Sequence, residues 1–212
     1  MNAQEVASWL DVVYAELVLR CSGEAVHALG RSYVAGGAIV SLVLGETPND
    51  YDIWFRSLED WQAAVDGLTL TPIRKSKYSY TYLLPTGKEI QLVKSRLGEP
   101  ADVVGTFDFK HTHCYYELGK APVYDEAFLL SKRLVFVRGN LCHPVNTVQR
   151  VLKFVRRGYS VSNQSIADLM NEVGAIYKKQ MDALEAASSF GDDERGEMHV
   201  FSPEWGGGEG SR

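Results

Sequence analysis

Residues 34–55, VAGGAIVSLVLGETPNDYDIWF, combine a pair of glycines, a short apolar helical pattern and two aspartates within one extended segment. A strand-like run leads into the glycines. From Gly37 apolar residues recur at helical spacing as far as Gly45, a residue type that often follows a helix C-terminus. Residues 51–55 are aromatic or β-branched and follow the turn residues of ETPN, which predicts a buried strand. The stretch therefore predicts the order strand, helix, strand.

Two features of this stretch suit a phosphate chain and a metal ion. Gly36 and Gly37 have no Cβ, so a phosphate can approach the backbone and accept hydrogen bonds from N–H groups at the start of the helix. Asp50 and Asp52 point to the same side of their strand, because side chains alternate along a strand. Two carboxylates on one side can share one or two Mg²⁺ or Mn²⁺ ions that bridge phosphate oxygens.

Patterns outside this stretch predict an α+β fold. Four apolar residues near the start form one stripe of a helix: Val6, Leu10, Val13 and Leu17. The other predicted elements are a helix over 58–66 capped by Ser57, a hairpin over 74–96, a short helix within 99–109, a second hairpin over 111–124, a strand over 132–138, a helix over 147–157 capped by Asn146 and a last helix over 162–189. We expect a mixed sheet of four or five strands with helices packed on it, followed by a small C-terminal helical part.

Charge is spread unevenly along the chain. The net charge is −5, from 22 basic and 27 acidic residues, and residues 191–212 alone hold six acidic and two basic residues. Between residues 127 and 167 there is no Asp or Glu, but there are seven basic residues: Lys132, Arg133, Arg138, Arg150, Lys153, Arg156 and Arg157. This region admits a polyanionic partner. The alternative is a solvated basic face that acidic residues balance elsewhere in space.

Length and composition are those of a soluble globular protein. The chain has 212 residues, of which 45% are hydrophobic and 23% charged. Its apolar runs fall well short of the roughly 20 residues that cross a bilayer, and no signal-peptide pattern opens it, so we expect no membrane partner. Cys21, Cys114 and Cys142 are odd in number and far apart, which favours a reducing, cytoplasmic setting. Nothing in the sequence indicates an oligomeric state.

The order Gly-Gly, spacer, Asp-x-Asp resembles the signature of the polymerase-β-like nucleotidyltransferase superfamily. Twelve residues separate Gly37 from Asp50, the helix ends in LVLG, and the strand ends in aromatic residues. This is most similar to the head domain of CCA-adding enzymes and bacterial poly(A) polymerases, and to small phage-encoded relatives. The resemblance covers about residues 30–96. Residues 144–159, PVNTVQRVLKFVRRGY, weakly resemble the helix that follows that head.

The resemblance implies a catalytic domain over residues 1–140, a helical part over 141–190 and, from composition, a disordered acidic tail over 191–212. It implies that Asp50 and Asp52 bind catalytic Mg²⁺ ions and that the glycines contact the triphosphate. The implied reaction moves a nucleoside monophosphate from an NTP to a hydroxyl, with release of pyrophosphate and an RNA 3′ end as the leading acceptor. The candidate substrate-binding residues are Gly36, Gly37, Ser41, Gln91, Arg150, Lys153 and Arg157.

The chain also departs from the family pattern. Val40 and Ser41 stand where CCA-adding enzymes usually carry Arg-Asp, and the neutral Gln91 stands where a third carboxylate is expected. The nearest acidic substitute is Asp108, between two phenylalanines, which we assign as the third catalytic carboxylate close to Asp50 and Asp52. The alternative for Asp108 is a helix cap or an ion pair.

Other functions remain open at this point. A neutral Gln91 and the missing Arg-Asp would suit a catalytically inactive nucleotide- or RNA-binding module with the same fold. Transfer to a protein or a small molecule is a third possibility. His111, His113 and Cys114 suggest a zinc site, but no motif supplies the remaining ligands that zinc needs.

Overall fold

The computed structural model describes residues 1–189, with side chains as far as residue 185, so the predicted tail over 191–212 lies outside the described residues. The helices within these residues are α1 Ala3–Val18, α2 Glu24–Gly30, α3 Gly37–Val43, α4 Leu58–Gly67, α5 Pro100–Gly105, α6 Glu126–Leu130, α7 Pro144–Arg156 and α8 Asn163–Ser189, with a single 3-10 turn at Lys110–Thr112. The strands are β1 Tyr33–Ala35, β2 Asp50–Trp54, β3 Arg74–Lys75, β4 Ser79–Leu83, β5 Glu89–Val93, β6 Tyr115–Glu117, β7 Arg133–Leu134 and β8 Ser160–Val161.

The chain divides into two compact units, which meet within α8. The first unit is Met1–Val173 and contains both sheets and α1 to α7. The second begins at Gly174, and its described part is the rest of α8. The helix expected over 147–157 therefore belongs to the first unit, where Phe154 joins the hydrophobic core. No helix of the described residues is long and apolar enough to cross a membrane.

The main sheet is mixed and has the order β3-β4-β5-β2-β1-β6. β2 and β5 run parallel, and every other neighbouring pair in this sheet is antiparallel. The predicted hairpin over 74–96 is confirmed as β4 and β5. The sheet has six strands rather than four or five, because β6 adds an edge by pairing with β1. The α+β class is confirmed.

The apolar face of the sheet packs against the first helices. Tyr51 and Ile53 of β2 are almost completely buried, and they share one core cluster with the α1 stripe, whose four residues have no exposed surface. Burying these side chains gives most of the free energy that holds helices on a sheet. On the opposite face Val103 and Val104 of α5, together with Phe107 just after it, form a second cluster that includes Trp54.

Ser57 caps α4, as predicted, since its side chain accepts a hydrogen bond from the backbone of Asp60. Helix α2 was missed, because seven residues are too few for a periodic apolar pattern to stand out. Helix α7 starts before the predicted cap Asn146: His143 occupies the cap position and Pro144 the first turn, where a missing N–H costs nothing.

Two predicted extended segments turn out differently. The strand expected over 132–138 shrinks to β7, which pairs with β8 in a separate sheet. The second hairpin is reduced to one bridge between Tyr115 and Val123, because β6 pairs along its length with β1 instead. In both cases a more distant partner decides the pairing, which local sequence does not specify.

His111 is a buried polar side chain inside an aromatic cluster. Only 1% of its surface is exposed, and neither ring nitrogen has a hydrogen-bond partner in the described protein. The rings of Phe154 and Tyr159 lie 4.2 and 5.2 Å from it between centroids. Burial lowers the pKa of His111 to about 3, with help from the charges of Arg157 and His113. The histidine is therefore neutral in the folded protein at neutral pH.

Replacing this histidine tests that assignment. His111 binds a proton more readily in the unfolded chain than in the folded one, so stability should fall as pH drops below about 6.5 toward 3. His111→Phe should remove this loss and, at neutral pH, leave the free energy of unfolding unchanged or raised by about 1 kcal/mol, because two unpaired buried nitrogens disappear. Urea unfolding from pH 4 to 8 measures both effects. The exposed His27→Gln is the control and should keep the wild-type slope. An unchanged slope in His111→Phe would contradict the assignment.

Candidate functional site

The two aspartates of the motif lie on the open face of β2. Asp50 and Asp52 are partly buried, while Tyr51 between them points into the core, so the predicted alternation is confirmed. In the parallel register with β5, Asp50 lies opposite Glu89 and Asp52 opposite Gln91. The antiparallel pairing of β1 with β2 brings the end of β1, and the glycine pair that follows it, toward the aspartates.

The two glycines have different structural roles. Gly36 has φ +81° at the start of α3, and its N–H donates to the Cys114 carbonyl at 3.0 Å. A Cβ at Gly36 would also lie 3.4 Å from the Phe107 ring, so this position serves the turn. A Cβ at Gly37 would meet nothing within 4 Å. Gly37 instead forms part of a pocket wall, where a missing side chain leaves room for a ligand.

A pocket of about 170 Å³ lies beside Asp50. Lys153 and Arg157, one helical turn apart on α7, project into it from the side opposite α3. The residues lining it are Gly37, Ala38, Ser41, Glu46, Thr47, Pro48, Asn49, Asp50, Lys153, Phe154 and Arg157. The structure thus brings together five of the predicted site residues: Gly37, Ser41, Asp50, Lys153 and Arg157. Two cations facing a carboxylate across a small pocket suit a phosphorylated ligand bound with a metal ion.

The protonation of Asp52 shows that the charge of the aspartate pair is only partly compensated. Burial and, to a smaller extent, the neighbouring charge of Asp50 raise the pKa of Asp52 to about 7, although Lys153 partly opposes both. A divalent cation between the two carboxylates would reverse this shift.

The described residues contain no group of three or more His, Cys, Asp or Glu side chains placed to hold a metal ion. The aspartate pair alone offers two carboxylates, and Mg²⁺ sites of this kind complete their coordination with ligand phosphates and water. The same finding gives no support to a zinc site at His111, His113 and Cys114 within the described part of the chain.

Gln91 contacts the aspartate pair directly. Its side-chain Nε2 donates to Asp50 Oδ2 at 3.0 Å, and its Oε1 accepts from Ser79 Oγ at 3.5 Å. The amide therefore stands next to the pair, at the strand position where the family resemblance places a third carboxylate. It orients Asp50 and adds no negative charge.

Asp108 does not join the aspartate pair, which corrects the assignment made from sequence. Its buried carboxylate accepts from Thr147 Oγ1 at 2.7 Å and from Arg150 Nε at 3.0 Å. The alternative reading, an ion pair, is what the structure shows. Arg150 is engaged by this pair and does not line the pocket, although Lys153 and Arg157 on the same helix do. Asp108 and Thr147 instead attach α7 to the loop that follows α5.

Sequence reasoning missed the loop between α3 and β2 as part of the site. Glu46, Thr47 and Asn49 line the pocket, and Glu46 forms an ion pair with Arg157, which also donates to Ser41 Oγ at 3.1 Å. The only local signal was a turn sequence, ETPN, whose polar residues are equally common in loops without function.

Comparisons with known proteins place this geometry in context. A family model described as Gabija anti-defense 2 family protein matches residues 3–133. No curated protein matches the chain.

The fold is similar to solved CCA-adding enzymes. An apo form is 18% identical with a TM-score of 0.50, and the match covers 78% of this chain and 46% of that chain. A complex with CTP is 19% identical with a TM-score of 0.51, and the match covers 79% of this chain and 47% of that chain. The Thermotoga maritima enzyme complexed with tRNA is 18% identical with a TM-score of 0.50, and the match covers 78% of this chain and 46% of that chain. At this identity the similarity establishes a nucleotidyltransferase-like fold. The chain spans about half the length of these structures.

Removing one carboxylate should stabilise the metal-free protein. The folded protein holds the Asp52 proton to higher pH than the unfolded chain does, so Asp52 costs stability increasingly as pH rises from about 4 to about 7. Asp52→Asn should abolish this cost and raise the free energy of unfolding at pH 8 by the order of 2 kcal/mol. Urea unfolding in EDTA measures it. With added Mg²⁺ the wild type should gain stability and Asp52→Asn should not. Equal stabilisation of the wild type and Asp52→Asn by Mg²⁺ would contradict a metal site at the aspartate pair.

Asp108→Asn should have the opposite effects on stability and on the stabilisation by Mg²⁺. It leaves Arg150 without its buried partner, so stability should fall by about 1–3 kcal/mol. The stabilisation by Mg²⁺ should remain, because the aspartate pair is intact. The same unfolding experiment distinguishes the two variants. Loss of the stabilisation by Mg²⁺ in Asp108→Asn would instead indicate that Asp108 is part of the metal site.

Proposed function

The chain belongs to the Gabija anti-defense 2 family, and from this we propose that it acts as a Mg²⁺-dependent nucleotidyltransferase moving a nucleoside monophosphate from an NTP to a hydroxyl acceptor. The observation that carries the proposal is the aspartate pair beside a pocket that holds Gly37, Lys153 and Arg157. The family description names a role against Gabija. We propose that the protein counteracts Gabija by nucleotidyl transfer.

The pocket suits the phosphate chain of the nucleotide. Lys153 has no ion pair among the described residues, and Arg157 presents a guanidinium group that can bind two phosphate oxygens at once. The open space at Gly37 lets phosphate oxygens reach the backbone near the start of α3. Binding energy at these groups would hold the reacting phosphate in place, which is the main protein contribution in phosphoryl transfer.

The aspartates and Gln91 supply the remaining chemistry. When bound by Asp50 and Asp52, a divalent ion neutralises charge on the phosphates and on the leaving pyrophosphate. Gln91 fixes the orientation of Asp50 through its hydrogen bond. Among the described residues no third carboxylate joins Asp50 and Asp52 in a metal-binding group, and Glu46, which lines the pocket, is paired with Arg157. The chain therefore contributes positioning and charge neutralisation more than base catalysis.

A second basic region favours an RNA 3′ end as the acceptor. Residues 67–88 contain no Asp or Glu, and neither do residues 127–167. These two stretches meet where the exposed rings of Tyr78 and His143 lie 5.7 Å apart, with Lys77 Nζ 4.9 Å from the Tyr78 ring centre. Aromatic rings next to cations suit unpaired bases and their phosphates. Tyr78 precedes Ser79, the hydrogen-bond partner of Gln91, so this surface adjoins the aspartate pair.

A second candidate function follows from Gln91. With an amide bonded to Asp50 and no third carboxylate grouped with the aspartate pair among the described residues, the same pocket would suit a protein that binds nucleotide without transferring it. Such a binding module could act against Gabija by occupying a ligand or a partner. Activity measurements separate the two candidates.

The decisive measurement is transfer of label from each of four labelled NTPs, with Mg²⁺, onto single-stranded RNA or bulk protein. Wild type should label the RNA. Asp50→Asn should reduce transfer by at least about 100-fold, because the metal loses a carboxylate ligand. Glu89→Gln makes the same chemical change at the neighbouring strand position and should keep the wild-type rate. Labelling of protein alone would change the acceptor class.

The family role gives an independent readout of the same variant. In cells that carry Gabija, Asp50→Asn should lose the anti-defense effect if transfer is its means. Wild type that binds NTPs without transferring label, together with a fully active Asp50→Asn in cells, would establish the binding module and contradict the transferase.

A further inference from the structure

An acidic side chain holds one of the two cations of the pocket. The Glu46 carboxylate, from the loop after α3, forms an ion pair with the Arg157 guanidinium at the end of α7. Both residues line the pocket, so the pair forms part of its wall. Lys153, one turn earlier on α7, has no such partner in the described protein. The pocket therefore offers one free cation and one that is already occupied.

Both members of the pair are held by their surroundings. The Glu46 N–H donates to the Ser41 carbonyl at 2.8 Å, and Gly45 before it has φ +74°, a conformation that lets the chain leave α3 sharply. Arg157 donates to Ser41 Oγ at 3.1 Å and lies over the Phe154 ring at 5.6 Å. The guanidinium therefore stays in the pocket when its carboxylate partner leaves.

We propose that Glu46 is a specificity-determining residue: it occupies Arg157 in the free protein and is displaced only by ligands with two or more linked phosphates. The proposal rests on the proposed nucleotide site. A single phosphate can bind Lys153 and leave the ion pair intact. A diphosphate or triphosphate spans both cations and takes Arg157 from Glu46. Glu46 thus selects against monophosphates and inorganic phosphate.

The energetics allow this exchange. The side chain of Glu46 is 36% exposed and that of Arg157 25%, so the pair is weak and the displaced carboxylate returns to water. A phosphate group carries more charge than a carboxylate and accepts two parallel hydrogen bonds from arginine. The ion pair therefore reduces the affinity for polyphosphates without preventing their binding.

The test measures dissociation constants for pyrophosphate and inorganic phosphate, and for ATP and AMP, with Mg²⁺ present. Glu46→Gln should bind pyrophosphate and ATP about fivefold to tenfold more tightly, because no ion pair has to be broken. Its affinity for inorganic phosphate and AMP should change less than twofold. Glu46→Asp keeps the charge but shortens its reach to Arg157, so it should give most of the same gain. In an Arg157→Ala background Glu46→Gln should give no gain.

The outcomes separate this proposal from the proposed function. If wild type binds ATP but Glu46→Gln binds it equally or more weakly, Glu46 does not compete for Arg157 and the nucleotide site stands. An equal gain for phosphate and pyrophosphate, or a gain that persists without Arg157, would reduce Glu46 to a general repulsive charge and overturn the proposal. If neither protein binds ATP or pyrophosphate, the proposed function fails as well. Thermal unfolding of each variant checks that it is folded.

Discussion

The site depends on one constraint, the burial of a single face of β2 against the core. Tyr51 and Ile53 are buried against the helical core, and because neighbouring strand side chains point to opposite faces, Asp50 and Asp52 must share the other face. Register with β5 then places Gln91 opposite Asp52. A shift by one residue would bury the aspartates and expose the core, so the geometry of the carboxylates is as stable as the core itself.

Helix α7 supplies the cations, and Asp108 fixes where that helix lies. Thr147 and Arg150 near the start of α7 bind the buried Asp108 carboxylate, and Phe154 packs into the core further along. Lys153 and Arg157 are thereby directed into the pocket. Asp108 is therefore a positioning residue for the basic side of the site. Its sequence context predicts a different role, that of a third carboxylate beside the aspartate pair. A buried acidic side chain between phenylalanines indicates a charged or polar partner, but only the fold shows whether that partner is a metal ion or a basic side chain.

Residues of this chain already contact the charged groups of the site. Two carboxylates face two cations, one carboxylate is bonded to a neutral amide and one cation is paired with Glu46. Both contacts are made by residues of this chain.

The sequence by itself determined several elements and the motif. The α1 stripe, the cap at Ser57, the hairpin of β4 and β5 and the alternation of Asp50 and Asp52 all follow from local periodicity and residue type, which act over a few residues. The spacing of Lys153 and Arg157 on one helix side is equally local.

The tertiary structure decided everything that needs two distant segments. It paired Asp108 with Arg150, 42 residues away, and Arg157 with Glu46, 111 residues away. It also paired β6 with β1 and β7 with β8. The physical reason is that ion pairs and strand edges accept any complementary partner that the packed core brings within reach, so the choice rests on the arrangement of the core and not on residue type.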